Sequence, residues 1–231
     1  MDKERKNRMI EAVVFDMDGV LFDTERISCE CCFQTAEEMG LKMTEEAVYG
    51  SCGRNQEAVR AHVIASMEPW YPNGSFPYDE YWEEVNKRFF ARLDEELPLM
   101  EGVTELLDFL KERGKKLAVA SSTKLEQVRK NLARNGLDRY FDVVIGGDMI
   151  EASKPAPDIY LEAARKMNCR PDEALVVEDA LHAIETAKKA GFSTAAVYDK
   201  ANKEQEKIRE TADIYLKSFD EQLTEMITGR M

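Results

Sequence analysis

The chain has 231 residues, of which 44% are hydrophobic and 33% are charged, and its formal net charge is −13. This length fits one large domain, or one domain that carries a smaller inserted one. The excess of acidic residues argues against a nucleic-acid partner, because a phosphate backbone needs a basic protein face. No segment approaches the roughly 18 consecutive apolar residues of a membrane span, so no membrane partner is expected.

The amino terminus and the cysteines predict the compartment. The opening segment, MDKERKNRMI, is charged and lacks the apolar core of a signal peptide. The five cysteines are an odd number, which favours free, reduced thiols over a disulfide framework. We therefore expect a cytoplasmic protein.

The first predicted element is a buried strand over Ile10–Phe15, where valine-rich apolar residues run together. A long block from about Arg26 to Leu97 follows and shows helical periodicity with no convincing strand. Its three helical segments are ISCECCFQTAEEMG, RNQEAVRAHVIASM and YDEYWEEVNKRFFARL. The segment EPWYPNGSFPYD, rich in proline, glycine and aromatic residues, predicts a loop before the third of them.

Helices and strands alternate after Pro98. The helix VTELLDFLKERG precedes the strand LAVA, and Thr123 and Glu126 fit a capping box that would open the next helix. Further strands are predicted at DVVIG, ALVV, TAAVY and ADIYL, with helical segments between them and a last helix that opens at Ser218. Such alternation predicts right-handed crossovers and a parallel sheet covered on both faces.

The first strand belongs with these later strands, although the helical block separates them in the chain. We therefore expect an α/β protein with a doubly wound, Rossmann-like parallel sheet. The sheet domain would comprise residues 1–24 and 98–231. An all-α cap domain, residues 25–97, would be inserted after the first strand.

Polar side chains collect at the carboxyl ends of the predicted strands, which is where open α/β sheets bind ligands. They are Asp16 and Asp18 after the first strand, Ser121 and Ser122 after LAVA, Lys154 beyond DVVIG, and Glu178 and Asp179 after ALVV. Clustered carboxylates repel each other unless a cation lies among them. Oxygen ligands without His or Cys suit a hard cation, of which Mg²⁺ is the usual one. A bound Mg²⁺ beside a lysine and a hydroxyl group would make a phosphate site.

Four motifs in these positions resemble those of the haloacid dehalogenase superfamily. The resemblance is to its branch of β-phosphoglucomutases and phosphoglycolate phosphatases with an α-helical cap. The motifs are FDMDGVLFDTE, VASS, SKPAPDIY and VVEDA, and the resemblance covers nearly the whole chain. One D-x-D pair is a weak signal, whereas four motifs in the expected order are specific.

The resemblance implies a phosphoryl-transfer site. Asp16 would be the nucleophile that forms an aspartyl-phosphate, and Asp18 the general acid and base. Ser121 would hydrogen-bond the phosphoryl group together with the backbone N–H of Ser122. Lys154 would offset the negative charge on the nucleophile and the phosphoryl oxygens.

The same resemblance implies a Mg²⁺ site. Asp16, Asp179 and the backbone carbonyl of Asp18 would bind the ion, and Glu178 would bind it directly or through water. Mg²⁺ would stabilise the equatorial oxygens during in-line transfer.

The cap would select the substrate and exclude water when it closes, with hinges at Thr24 and near Leu97. Arg54 looks like the cap arginine that related enzymes place on a distal anion of the substrate. Lys124 matches a lysine with a similar part in sugar-phosphate mutases. The alternative for both residues is a solvated surface charge.

The expected function is a Mg²⁺-dependent phosphatase that hydrolyses a small phosphorylated metabolite, such as a sugar phosphate. The alternative is a β-phosphoglucomutase, in which an enzyme-bound phosphoryl group returns to the sugar. In those mutases a histidine occupies the position of Ser28 and an amide side chain that of Leu125, so both departures favour hydrolysis. The expected partner is the phosphorylated metabolite, and caps of this size often belong to monomers, so we expect a monomer.

Overall fold

The structure is a computed structural model that describes residues 9–52, 56–150, 156–198 and 204–219. Within these ranges six strands form one sheet in the order β3-β2-β1-β4-β5-β6. The strands are β1 Ala12–Phe15, β2 Lys116–Ala120, β3 Val143–Ile145, β4 Ala174–Glu178, β5 Ser193–Val197 and β6 Ile214–Leu216. All neighbouring strands are parallel. The strand order reverses at β1, so the predicted doubly wound, Rossmann-like α/β sheet is confirmed.

Helices occupy most of the remaining described chain. They are α1 Thr24–Glu38, α2 Glu45–Tyr49, α3 Gln56–Met67, α4 Tyr78–Glu95, α5 Val103–Glu112, α6 Leu125–Arg134, α7 Asp158–Lys166, α8 Leu181–Lys189 and α9 Gln205–Thr211. None of these helices combines the length and the apolar composition that crossing a membrane requires. The helix predicted to open at Ser218 falls largely beyond residue 219, outside the described ranges.

The described residues divide into two compact units. One unit holds the described residues of the ranges 9–22, 99–150, 156–198 and 206–219, with all six strands. The other holds residues 23–52, 56–98 and 204–205, with helices α1 to α4.

The sheet unit has a continuous apolar core because its central strands are buried on both faces. All four residues of β1 are fully buried, as is the segment Leu117–Ala120 of β2. Helix α7 packs on one face through Ile159, Tyr160 and Ala163. Such unbroken apolar runs are typical of central parallel strands and explain why these strands were predictable from the sequence.

The helical unit has a core of its own, built on the apolar faces of α1, α3 and α4. Ile27, Cys31, Val63, Met67 and Tyr81 are among its most buried side chains. The short helix α2 was not predicted. Thr44 caps its amino end, because the side-chain oxygen of Thr44 accepts a hydrogen bond from the amide of Ala47 at 3.2 Å.

The predicted capping box at Thr123 and Glu126 is wrong. Helix α6 begins after Lys124, which makes no side-chain capping bond. The amide of Leu125 instead donates to Oδ1 of Asp148, at 2.8 Å. Asp148 belongs to the loop after β3, so the capping group of α6 comes from another strand connection.

That close approach needs glycine. A Cβ atom on Gly146 would lie 2.3 Å from the amide nitrogen of Leu125, and one on Gly147 would lie 2.3 Å from the carbonyl oxygen of Ser122. The amide of Gly147 donates to the carbonyl of Thr123 at 2.9 Å. The loop after β3 therefore fixes the backbone of the loop after β2.

Candidate active site

The register of the sheet brings the carboxyl ends of three strands level. Phe15 at the end of β1 lies opposite Val119 of β2 and Val177 of β4. The amide of Asp16 continues the ladder by donating to the carbonyl of Val177 at 3.0 Å. Asp16 and Glu178 therefore stand side by side at this edge of the sheet.

Three carboxylates meet there. Asp16, Glu178 and Asp179 each contribute an oxygen, and these oxygens all lie within 4.8 Å of one another. The three residues are only 8%, 2% and 6% exposed. Buried carboxylates this close repel each other strongly unless a cation lies among them. An oxygen-only donor set of this kind fits a metal-binding site for a hard cation.

The turn after Asp16 places the side chains of Asp16 and Asp18 in different surroundings. The amides of Leu21 and Phe22 donate to the carbonyl of Met17, whose side chain is buried. Gly19 adopts a φ of 76°, a left-handed conformation that a side chain would strain. Asp18 is half-buried, and its carboxylate lies outside the three-carboxylate cluster.

The end of β2 supplies hydroxyl groups. Ser121 is 1% exposed, and its amide donates to the carbonyl of Ile145 at 3.1 Å. Its Oγ accepts a hydrogen bond from the amide of Thr123 at 3.1 Å. The Thr123 hydroxyl in turn lies 3.4 Å from Oδ2 of Asp18, which it contacts as a donor. Ser121 is thus fixed at the same edge as Asp18.

Ser122 and Lys124 are exposed beside Ser121. Neither residue is drawn into the packed core. Both side chains are therefore exposed to solvent at the edge of the sheet where the carboxylates lie. Two of the predicted site residues, Arg54 and Lys154, lie outside the described residues.

Tyr160 is a site residue that the sequence analysis missed. Its hydroxyl donates to Oε1 of Glu178 at 2.6 Å, and both side chains are buried. The signal was present in the motif SKPAPDIY, which ends on this tyrosine, but helical periodicity alone predicts a core aromatic there. The hydrogen bond therefore holds the carboxylate of Glu178 beside the neighbouring carboxylates.

The helical unit contains a cavity of about 400 Å³. Its lining includes polar groups from α1 and from the segment after α2, and aromatic rings from α4. Among the lining residues are Glu25, Ser28, Cys29, Cys52, Tyr81 and Trp82. Ser28, where the related mutases carry histidine, is therefore a cavity residue.

Comparison with known proteins identifies the family. The sequence pattern of the haloacid dehalogenase-like hydrolases matches residues 13–197. A phosphorylated carbohydrates phosphatase of Thermotoga maritima is 36% identical over 183 residues, which cover 79% of this chain and 82% of that protein.

Solved structures support the same family assignment. A Thermotoga maritima protein provisionally named β-phosphoglucomutase is 29% identical, with a TM-score of 0.71 over 95% of this chain and 98% of that one. The CbbY protein of Rhodobacter sphaeroides, solved with xylulose-(1,5)bisphosphate, is 29% identical, with a TM-score of 0.62 over 91% of this chain and 95% of that one. The predicted resemblance and the prediction of a phosphatase-type enzyme are confirmed. The chain belongs to the haloacid dehalogenase-like hydrolase family.

Proposed function

We propose that the protein is a Mg²⁺-dependent phosphatase that hydrolyses a small phosphorylated carbohydrate through an aspartyl-phosphate intermediate. The observation that carries the proposal is the buried group of Asp16, Glu178 and Asp179 at the edge of the sheet where Asp18 and Ser121 also lie. The named carbohydrate phosphatase at 36% identity supports the substrate class.

Asp16 is the proposed nucleophile. A carboxylate oxygen attacks phosphorus, the bond to the leaving oxygen breaks, and the phosphoryl group is transferred to Asp16. The ladder bond from the Asp16 amide to Val177 fixes the backbone of the nucleophile. Proximity of this kind replaces a bimolecular encounter with an oriented one.

Asp18 is the proposed general acid and base. It protonates the leaving oxygen in the first step and takes a proton from the attacking water in the second. Its partial exposure and its position outside the buried cluster suit this work, because a proton carrier needs access to water and to the leaving group.

The phosphoryl oxygens need donors. The Ser121 hydroxyl is proposed to donate to one of them while it accepts from the Thr123 amide. The backbone N–H of Ser122 and the ammonium group of Lys154 are the proposed further donors, and they stabilise charge that builds up in transfer.

Asp16, Asp179 and the backbone carbonyl of Asp18 would hold Mg²⁺, with Glu178 binding directly or through water. When bound, Mg²⁺ supplies positive charge that stabilises the equatorial oxygens of the transferring group. Tyr160 holds Glu178 in place for this role.

The helical segment, residues 25–97, is proposed as a cap domain that selects the substrate, with residues 1–24 and 98–231 as the catalytic domain. Arg54 and Lys124 are the proposed contacts for the part of the substrate remote from the transferred phosphate. The division of the chain into two compact units supports this assignment.

A mutase is the second candidate, because one structural neighbour is provisionally named β-phosphoglucomutase and Lys124 is exposed beside the end of β2. Incubation with β-glucose 1-phosphate and a trace of glucose 1,6-bisphosphate separates the two. Free phosphate supports the phosphatase, and glucose 6-phosphate without phosphate release contradicts it.

A panel of phosphorylated carbohydrates tests the proposed substrate class and cofactor together. Phosphate release should require Mg²⁺ and should stop with EDTA. Robust turnover after chelation would refute the metal assignment. Turnover on other phosphomonoesters with none on any carbohydrate phosphate would refute the substrate class.

A further inference from the structure

Two cysteines of the helical unit face each other. Sγ of Cys29 and Sγ of Cys52 are 3.7 Å apart, which is contact distance for two sulfur atoms. Cys29 lies on α1, and Cys52 lies in the turn three residues past the end of α2. Both are free thiols in this structure, and both line the cavity of the helical unit.

A disulfide is within reach of this geometry. An S–S bond is about 2.0 Å long, so the two sulfur atoms must approach by about 1.7 Å. Cys52 sits in a turn past the end of α2, where its amide donates a long hydrogen bond of 3.4 Å to the carbonyl of Tyr49 and its thiol lies 3.9 Å from the carbonyl of Val48. A small shift of the turn at Cys52 therefore disturbs these weak contacts. Rotation about the side-chain bonds of Cys52 and a small shift of the turn can supply the movement.

The other three thiols are less suited to reaction. Burial raises the pKa of Cys31 and of Cys169, and it raises that of Cys32 to about 12. Because the thiolate is the reacting form, a raised pKa slows attack by these thiols. The raised pKa makes Cys32 a slow nucleophile, although it lines the same cavity as Cys29 and Cys52.

We propose that Cys29 and Cys52 form a thiol-modification site that exchanges with low-molecular-weight disulfides of the glutathione type. Cys52 is the more exposed of the two, whereas Cys29 is only 7% exposed. Cys52 is therefore the attacking thiol and Cys29 the resolving one.

The exchange balances in two steps. The Cys52 thiolate attacks one sulfur of the small disulfide, whose S–S bond breaks and releases one small thiolate that takes up a proton. The Cys29 thiolate then attacks Sγ of Cys52 in the mixed disulfide and releases the second small thiolate. Two protein thiols are oxidised to one disulfide, and one small disulfide is reduced to two thiols.

The product would tie α1 to the segment after α2 across the cavity wall. Ser28 and Ser51, which precede the two cysteines, also line this cavity. The link would therefore fix the spacing of these polar groups and reduce the ability of the cavity to adapt to a substrate. This effect on turnover rests on the proposed function, whereas the exchange itself does not.

The test is oxidation of the full, folded chain with glutathione disulfide, followed by alkylation of free thiols, intact-mass measurement and peptide mapping. We expect a Cys29–Cys52 linked peptide, loss of the mass of two hydrogen atoms, and full reversal by dithiothreitol. The Cys29→Ser variant should stop with one glutathione on Cys52, and Cys52→Ser should form no link. Cys169→Ser is the matched control and should form the link as the wild type does.

A folded protein that forms no Cys29–Cys52 link under these conditions, or forms it only in denaturant, overturns the proposal. Glutathione on Cys29 of the Cys52→Ser variant at the wild-type rate would overturn the assigned order of attack. Turnover of a carbohydrate phosphate should fall several-fold on oxidation and recover with dithiothreitol in wild type and Cys169→Ser alike. Unchanged turnover by fully linked protein overturns the regulatory effect, and no turnover by the reduced protein counts against the proposed function alone.

Discussion

Glu178 illustrates how a buried carboxylate is stabilised by a hydrogen bond. It ends β4 almost completely buried, next to two other carboxylates. A buried charge without partners is costly, and a charged hydrogen bond recovers part of that cost. The hydroxyl of Tyr160 supplies such a bond at 2.6 Å and so fixes the direction of the carboxylate.

Replacing Tyr160 by phenylalanine tests that role. The Tyr160→Phe change keeps the buried ring and removes the donor, so Glu178 loses its fixed direction. We expect Mg²⁺ affinity to fall about 10-fold, a typical effect of losing a group that orients a metal ligand. Calorimetric titration with Mg²⁺ measures the affinity independently of turnover. Tyr198→Phe, at an exposed tyrosine, is the control, and equal Mg²⁺ affinity in all three proteins would contradict the assignment.

The acidic residues of this cluster were predictable, but Tyr160 was not. Asp16, Glu178 and Asp179 follow apolar runs that end abruptly, and parallel strands end at a common edge. A tyrosine on the buried face of a helix fits the helical pattern of apolar residues, and this pattern does not indicate the hydrogen-bond partner of its hydroxyl. Its partner depends on how α7 packs across the sheet, which a local pattern does not contain.

At the scale of elements, the connection after β3 organises the connection after β2. Gly146 and Gly147 allow the two backbones to touch, and Asp148 caps α6 from across that contact. The predicted capping box placed the cap within the helix's own sequence. The prediction failed because the acceptor is Oδ1 of Asp148, which lies 23 positions after Leu125 in the sequence.

The Asp148→Ala change should therefore weaken α6. Loss of a capping acceptor typically costs about 1 kcal/mol of stability. Urea unfolding at neutral pH measures the change in the free energy of unfolding. Asp148→Asn keeps a capping oxygen and should stay within a few tenths of a kcal/mol of the wild type. Equal losses in both variants would show that the charge, and not the cap, matters.

The carboxylate of Asp213, immediately before β6, links that strand to β5 and α8. Asp213 accepts hydrogen bonds from the amide and the hydroxyl of Thr194, at 3.0 and 3.1 Å, and pairs with Lys188 at 3.0 Å. Burial acts to raise the pKa of Asp213, but the hydrogen bonds from Lys188 and Thr194 outweigh it and lower the pKa below 3.8.

Because the pKa of Asp213 is lowered in the folded state, its contribution to the free energy of unfolding decreases as the pH falls. The stabilisation by Asp213 is fully present above 3.8 and is lost as the pH falls through the lower native pKa. Asp213→Asn should cost about 1 kcal/mol at neutral pH, because the hydrogen-bonded carboxylate is also exposed to screening by solvent, and the difference should shrink in acid. Urea unfolding at pH 7 and pH 3 measures it. Asp138→Asn, at an aspartate that takes no part in the contact with Thr194 and Lys188, is the control, and a pH-independent difference for Asp213→Asn would contradict the account.

At the scale of the whole molecule, the doubly wound parallel sheet was predictable once the helical block was set aside. The alternating elements after Pro98 and the valine-rich first strand are strong local patterns, and right-handed crossovers restrict their arrangement. The short helix α2 was missed because five residues carry too little periodicity to be recognised.

The cavity of the helical unit was beyond prediction for a different reason. Helical periodicity shows which face of a helix is buried, but it does not show where packing leaves a space. Tyr81 and Trp82 illustrate the difference, because both belong to the apolar core of the unit and both also line the cavity. The contact between Cys29 and Cys52 likewise depends on tertiary packing, here of the turn after α2 against α1, between residues 23 positions apart.

The central claim is that Asp16 carries out phosphoryl transfer at the carboxylate cluster. The most direct test is the rate of phosphate release from a phosphorylated carbohydrate, in saturating Mg²⁺, by the wild type and by Asp16→Asn. Asp23→Asn is the matched control, since Asp23 belongs to the same motif but pairs with Arg26. The account predicts near-wild-type turnover for Asp23→Asn and a loss of at least about 1,000-fold for Asp16→Asn with an unchanged circular dichroism spectrum. Near-normal turnover by folded Asp16→Asn would contradict it.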